Sequence, residues 1–357
     1  MAKQLLEPMV FRNGTQSRNR ITLAAMTNGQ SSADGSLGSD ELRWLDERAE
    51  GGMGVITTCA SHVSKDGQGW AGELGVFDDR LVRGLRTLAD AMHKRGALGF
   101  IQLFHGGLRA DAALTGERPW SASEGPNHRA ATEEDVRRVI ADFAAAAGRA
   151  VAADLDGAEI HGAHGYLLTQ FLSTMENRRT DQWGGGLEGR ARLFREVTRA
   201  VRAKAPAPFV VGVRLSPEDF GNAKGLDLDE SLQVAKWLCE DGVDFVHLSL
   251  WEAMKNTTKR PSEHALEALR KVVPGDVLLF VAGKLWTRGE CERMLELGAD
   301  GVALGRAAIA NPDWAHRIVD PEWKPRYPPL AGQELLDRGL SAGFVDYMRK
   351  WKGFVSS

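Results

Sequence analysis

Residues 155–166 read LDGAEIHGAHGY, and the fold is decided by what this stretch belongs to. LDGAEIHG is a short apolar run bounded by glycine, of the length expected of a buried strand. His161 closes the run, His164 follows three residues later, and Tyr166 is one of three tyrosines in the chain. The polar trio therefore stands at the carboxyl end of a strand. In a parallel barrel that end is where chemistry is carried out.

Outward from this stretch, runs of the same kind recur along the chain. They are ITLAAM (21–26), MGVITTC (53–59), LGFIQLF (98–104), FVVGVRLS (209–216), VDFVHLSL (243–250), VLLFVAG (277–283) and DGVALGR (300–306). Both faces of each run are read as apolar, as in parallel strands covered on both sides. Helical patterns fill the gaps. Thr132 with Asp135 opens one helix in a cap-like way, and Val136, Val139, Ile140, Phe143 and Ala147 follow at helical spacing. Thr287 with Glu290 is a capping-box pattern for a helix ending at Gly298, and Asp227 with Glu230 is similar. Eight alternations of strand and helix favour an α/β fold of the (β/α)8 TIM-barrel type over an open doubly wound sheet. A single barrel domain is expected over 1–319. A C-terminal tail, 320–357, is expected on the barrel or at a subunit interface, from which Tyr347, Arg349 and Trp351 would reach a neighbouring active site. The irregular segment 104–131 is expected to cover the barrel mouth.

Composition narrows the function. The chain has 357 residues, 43% hydrophobic and 26% charged, with 45 Lys and Arg against 48 Asp and Glu. With no basic block, nucleic acid and anionic membranes are poor partners. The opening MAKQLLEPMVFRNG lacks a signal-peptide pattern and no run reaches membrane-spanning length, so a cytoplasmic location is expected. Cys59, Cys239 and Cys291 are too scattered for a disulfide framework or an iron–sulfur site.

Unusual polar residues fall at the strand ends. Thr27 follows strand one and Ala60 strand two; Gln102 and His105 close strand three, and Arg214 strand five. Strand six ends in Ser249 and Trp251, strand seven in Gly283–Lys284 and strand eight in Gly305–Arg306. Two Gly–basic pairs after strands seven and eight mark a phosphate site by placement. Trp70, Trp120, Trp183 and Trp251 are candidates for a substrate wall. Glu159 is read as structural, a partner for Arg214. Taken alone, His161 and His164 also allow a metal-dependent barrel hydrolase or lyase, although cations at the neighbouring strand ends oppose a metal.

HGAHGYLLTQFL…NRRTDQWGG, with QLFHGG (102–107), VGVRLSP (211–217) and ALGRAAIANPD (303–313), resembles the Old Yellow Enzyme family of FMN-dependent ene-reductases. The resemblance runs from about residue 6 to residue 318. It implies noncovalent FMN, NADPH or NADH as reductant, and a small activated alkene as substrate, with assembly into a homo-oligomer left open. It places Ala25, Met26, Thr27, Ala60, Gln102 and Arg214 around the flavin ring, and Gly283, Lys284, Gly305 and Arg306 around its phosphate. It implies that His161 and His164 hold a carbonyl oxygen, that hydride comes from flavin N5, and that Tyr166 supplies the proton. Ala25 stands where the family usually has proline, and Lys284 where a second glycine is common. Gly186 and Gly189 replace the more usual serine and asparagine, and Leu108 interrupts the usual His–Ala–Gly–Arg.

Overall fold

A computed structural model describes residues 4–356. Eight parallel strands close into a barrel: β1 (Ile21–Leu23), β2 (Val55–His62), β3 (Leu98–Phe104), β4 (Gly157–Gly162), β5 (Val210–Leu215), β6 (Phe245–Ser249), β7 (Leu278–Ala282) and β8 (Gly301–Leu304). β8 pairs with β1 through Val302 and Ile21, so the ring is complete and has no free edge. Each expected run overlaps one of these strands, but β2 continues past residue 59 to His62, so Ala60 lies inside it rather than after it. The pairing of β2 with β3 shifts register between Thr57 and Ala60.

The helices between the strands begin where the side chains can satisfy open backbone N–H groups. Thr132 and Asp135 form a full capping box ahead of Glu133–Ala152, as do Thr287 and Glu290 ahead of Arg288–Glu296. Asp227 caps Leu228–Glu240 alone, because Glu230 is drawn away to Arg190 at 2.6 Å. His264 with Glu267 builds another capping box ahead of Ala265–Arg270, one the residue pattern did not announce. Among the described residues no helix is long and apolar enough to cross a membrane.

The interior is layered by the two-residue period of the strands. At the amino end, Val55, Phe100, Val210, Phe245, Leu278 and Phe280 form an apolar floor with Met9 and Phe11. Phe11 follows Met9–Val10, which pairs with Gln16–Ser17, and its ring meets Phe100, Phe245 and Phe280 at 5.8, 6.1 and 6.1 Å. Glycine makes room for these rings: a Cβ at Gly212 would fall 2.2 Å from Phe245. Two residues further along their strands, the inward positions are polar. Gln102 Nε2 donates to Glu159 Oε1 at 2.6 Å, and His247 Nδ1 is 2.6 Å from Glu159 Oε2. The expectation of strands apolar on both faces thus fails in the middle of the barrel. Glu159 takes Gln102 and His247 as its hydrogen-bond partners, not Arg214. One more step up the strands come His161, Arg214 and Ser249, at the open end.

The segment 104–131 packs mainly beside the mouth. Trp120 is buried with its indole N–H on Asp66 at 2.8 Å, and Ser121 reaches Gln170. The tail folds back over the same chain's barrel. Its helix Ala342–Arg349 sets Phe344 against Trp44, 5.7 Å between ring centres, and buried Arg48 donates to the carbonyls of Ala308 and Arg338.

Candidate active site

The carboxyl ends of the strands surround a cavity of about 510 Å3. Its walls include every residue that the resemblance places at the site: Ala25, Met26, Thr27, Ala60, Gln102, His161, His164, Tyr166, Arg214, Gly283, Lys284, Gly305 and Arg306, whereas His105, read at the end of β3, is buried against Asp66 and Trp120. Of the candidate wall tryptophans, Trp70 and Trp251 line it. Trp120 and Trp183 do not; each is buried elsewhere, Trp183 against Glu133. Arg109, Ser249, Phe220 and Asn222 join the lining, as do Tyr347, Met348 and Trp351 of this chain's own tail. Ser249, read from the sequence as the polar end of strand six, shares the inward face of β6 with Phe245 and His247. Of the tail residues expected to reach a neighbouring active site, Tyr347 and Trp351 line the cavity of their own chain, and Arg349 pairs with Asp346 instead.

The trio is arranged by a strained turn. His164 has φ 64° and Gly165 φ 76°, both left-handed, so the chain reverses between β4 and the helix Leu167–Leu172. Only glycine fits at 165, where a Cβ would lie 2.2 Å from the Asn222 carbonyl. A histidine with positive φ is uncommon, and such strain concentrates at functional sites. The His164 amide donates to Ser216 Oγ at 3.1 Å, which holds the turn. The result is compact: ring centres of His161 and His164 are 4.9 Å apart, and His161 and Tyr166 5.4 Å. Phe104 meets the Tyr166 ring edge-on at 4.5 Å.

Charge around the trio is set by arginines. Arg214 pairs in register with His161 on β4 and His247 on β6. It donates to the Ala25 carbonyl at 3.2 Å and to Ser249 Oγ at 3.1 Å, and Ser249 Oγ lies 2.7 Å from His164 Nε2. Burial pushes the His161 and His164 imidazoles well below their ordinary pKa, and the charges of Arg214 and Arg109 push the same way. Both rings are therefore neutral at neutral pH. Burial raises the Tyr166 phenol, opposed by Arg109, whose guanidinium lies 4.1 Å over the ring. Below them, burial alone would raise the Glu159 carboxyl, but His247, Arg214 and Gln102 hold it below its ordinary value. Glu159 is thus a fixed anion beneath Arg214.

At the far side, Gly283 and Gly305 end β7 and β8. A Cβ at Gly283 would fall 2.6 Å from the Leu250 carbonyl, so the turn passes close under β6. Lys284 follows with φ 52° and its ammonium 2.7 Å from Glu252. That left-handed backbone is the physical reason a glycine suits this position. Arg306 lies between Trp251 and Trp351, 5.9 and 5.7 Å from the ring centres.

A barrel with backbone turns and cations at the ends of β7 and β8, an arginine beside a neutral histidine pair and an amide below it, is the arrangement of a flavin-nucleotide oxidoreductase. The sequence model of the NADH:flavin oxidoreductase / NADH oxidase family matches residues 4–321. The chain belongs to that family, the Old Yellow Enzyme family, and is an NAD(P)H-dependent flavin oxidoreductase that uses FMN. It is 33% identical over 333 residues to a probable NADH-dependent flavin oxidoreductase of Bacillus subtilis, covering 89% of this chain and 88% of that one. It is 32% identical to the NADH:fumarate oxidoreductase of Klebsiella pneumoniae, over 89% of this chain but 36% of that protein, and so spans about a third of that relative's length. The fold matches the Old Yellow Enzyme homologue of Zymomonas mobilis with TM-score 0.83 and 26% identity, over 96% of this chain and 99% of that one.

The residues present fit FMN on their own terms. Among the described residues, buried His161 Nδ1 and Arg214 Nε have no hydrogen-bond partner, and the Gln102 amide oxygen meets no donor. Among the described residues no three His, Cys, Asp or Glu side chains gather to hold a metal ion. The groups beside the histidines are cations, so the metal-hydrolase alternative is not favoured.

Proposed function

We propose that this enzyme reduces the carbon–carbon double bond of α,β-unsaturated carbonyl compounds and similar electron-poor alkenes. The net reaction is alkene plus NAD(P)H plus a proton, giving the saturated carbonyl and NAD(P)+. The observation that carries this reading is the neutral His161–His164 pair beside Tyr166 in one cavity. Bound FMN supplies reversible hydride chemistry to the site. Thr27, Ala25, Met26, Ala60, Gln102 and Arg214 would hold its ring, and the turns at Gly283–Lys284 and Gly305–Arg306 its phosphate.

The protein's own residues do the rest. His161 and His164, neutral and preorganised, each offer an N–H to a substrate carbonyl oxygen. Two such donors draw electron density toward oxygen and leave the β-carbon electron-poor. Tyr166, at the edge of the same space, gives its phenolic proton to the α-carbon as the enolate forms. A phenol is a weak acid, yet strong enough to protonate an enolate. Trp70 and the tail residues Tyr347 and Trp351 narrow the cavity and exclude water, with Phe104 packed behind Trp70 and Tyr166.

The test is spectroscopic. FMN-loaded protein is expected to be yellow, to bleach with NADH or NADPH under argon, and to regain its colour with cyclohexenone, one cyclohexanone forming per flavin. Reduced enzyme that regains no colour with any enone, nitroalkene or maleimide overturns the reading.

A further inference from the structure

Among the described residues no aspartate or glutamate lines the cavity, while Arg109, Arg214, Lys284 and Arg306 all do. Three of these cations are committed. Lys284 is paired with Glu252, while Arg214, which donates to Ala25 and Ser249, and Arg306, which stacks on Trp251 and Trp351 and makes no ion pair among the described residues, are the groups assigned above to the flavin ring and its phosphate. Of the four, Arg109 alone has neither a carboxylate partner among the described residues nor a place in the cofactor site. It follows β3, four strands from β7 in the closed ring, and so stands across the mouth from the Gly283–Lys284 turn. Its Nη1 donates to the His164 carbonyl at 2.8 Å and its guanidinium covers the Tyr166 ring, yet among the described residues it makes no ion pair. Most of its N–H fork is left for something in the cavity.

A half-buried guanidinium without a counter-ion is costly, and a planar fork matches a carboxylate better than any neutral group. We propose that Arg109 selects alkenes carrying a carboxylate, with the substrate carbonyl at His161 and His164 and the carboxylate on the Arg109 fork. The fitting class is the unsaturated keto acid, in which a ketone and a carboxylate flank one double bond. This assignment rests on the carbonyl role of the histidine pair. Tyr166 lies between the two anchoring points, which sets the double bond beside its hydroxyl.

The test uses the FMN-loaded enzyme with 4-oxopent-2-enoate and its methyl ester, which share a skeleton and differ in charge. Arg109→Met is expected to lower kcat/KM for the acid roughly 10- to 100-fold more than for the ester, the loss of one charge-assisted hydrogen-bonded pair. Arg109→Lys keeps the charge but loses the planar fork, and is expected to retain only part of the discrimination. The inert saturated acid, 4-oxopentanoate, is expected to perturb the flavin absorbance of the wild type. That binding should weaken with salt and vanish in Arg109→Met. Equal losses for acid and ester in Arg109→Met, with cyclohexenone still reduced by the wild type, overturn this inference alone. Failure of the wild type on every enone overturns the reading beneath it as well.

Discussion

Ser249 Oγ lies 2.7 Å from His164 Nε2 and accepts a hydrogen bond from Arg214 at 3.1 Å. One hydroxyl on β6 thus couples the histidine on β4's turn to the arginine on β5. With Arg214 donating to it, Ser249 can give its own proton to His164 Nε2, leaving the ring protonated on Nδ1. Ser249→Ala removes this link and leaves His164 free to change tautomer. Enone kcat/KM is expected to fall roughly 10-fold, the worth of one buried hydrogen bond. Stopped-flow rates of both half-reactions check this, and an unchanged enone step would show that Ser249 does not orient His164.

Tyr166→Phe removes the proposed proton donor and keeps the ring against Phe104 and Arg109. Alkene reduction is expected to slow by about 10²- to 10⁴-fold, while flavin reduction by NAD(P)H changes by no more than a few-fold. Equal loss in both half-reactions would remove Tyr166 from the proton step.

His62 is buried at the end of β2, stacked on Phe77 at 5.0 Å, and burial lowers its pKa to about 4. The unfolded chain takes up this proton near its ordinary value of 6.5, the folded chain only near 4. Stability from this group is therefore complete above about pH 6.5 and is lost as pH falls toward 4, by at most about 1.4 kcal/mol per pH unit. His62→Phe lacks this loss. Its melting temperature relative to wild type should rise as pH drops from 6.5 to 4, and a constant difference would refute the assignment.

Lys284 holds a left-handed backbone at φ 52° and a half-exposed ion pair with Glu252. Lys284→Ala and Lys284→Gly both remove the ion pair, and only glycine relieves the backbone. The glycine variant is expected to be more stable than the alanine variant by about 1 kcal/mol in chemical denaturation. The reverse order would mean that the turn changes shape when the ammonium is lost.

Phe11 closes the barrel floor against three phenylalanines. Phe11→Ala is expected to cost about 3–5 kcal/mol of stability, with FMN affinity little altered because the site is at the opposite end. A small loss, read by denaturant midpoint, would mean the floor collapses around the vacancy.

The barrel was legible in the sequence because its signal is local. Each strand is a short apolar run, each capping pair sits three residues apart, and alternation alone leaves few topologies. The residues of the candidate site were legible for a related reason: in a parallel barrel every strand's carboxyl end reaches the same mouth, so strand order places Gln102, His161, Arg214 and Gly305 together without knowledge of side-chain directions. Other features depend on partners distant in sequence. That Glu159 binds Gln102 and His247 rather than Arg214 follows from the inter-strand register. That Trp120 and Trp183 turn into the core while Trp70 and Trp251 face the cavity follows from how loops pack on helices. That the tail brings Tyr347 and Trp351 over its own cavity, and that Arg109 stands without a carboxylate, are likewise properties of the closed structure. The sequence by itself determined the barrel and the groups that close its strands, through local periodicity. Only the tertiary structure decided which of those groups neutralise one another and which are left for substrate, because a charge's partners are chosen by distance in space.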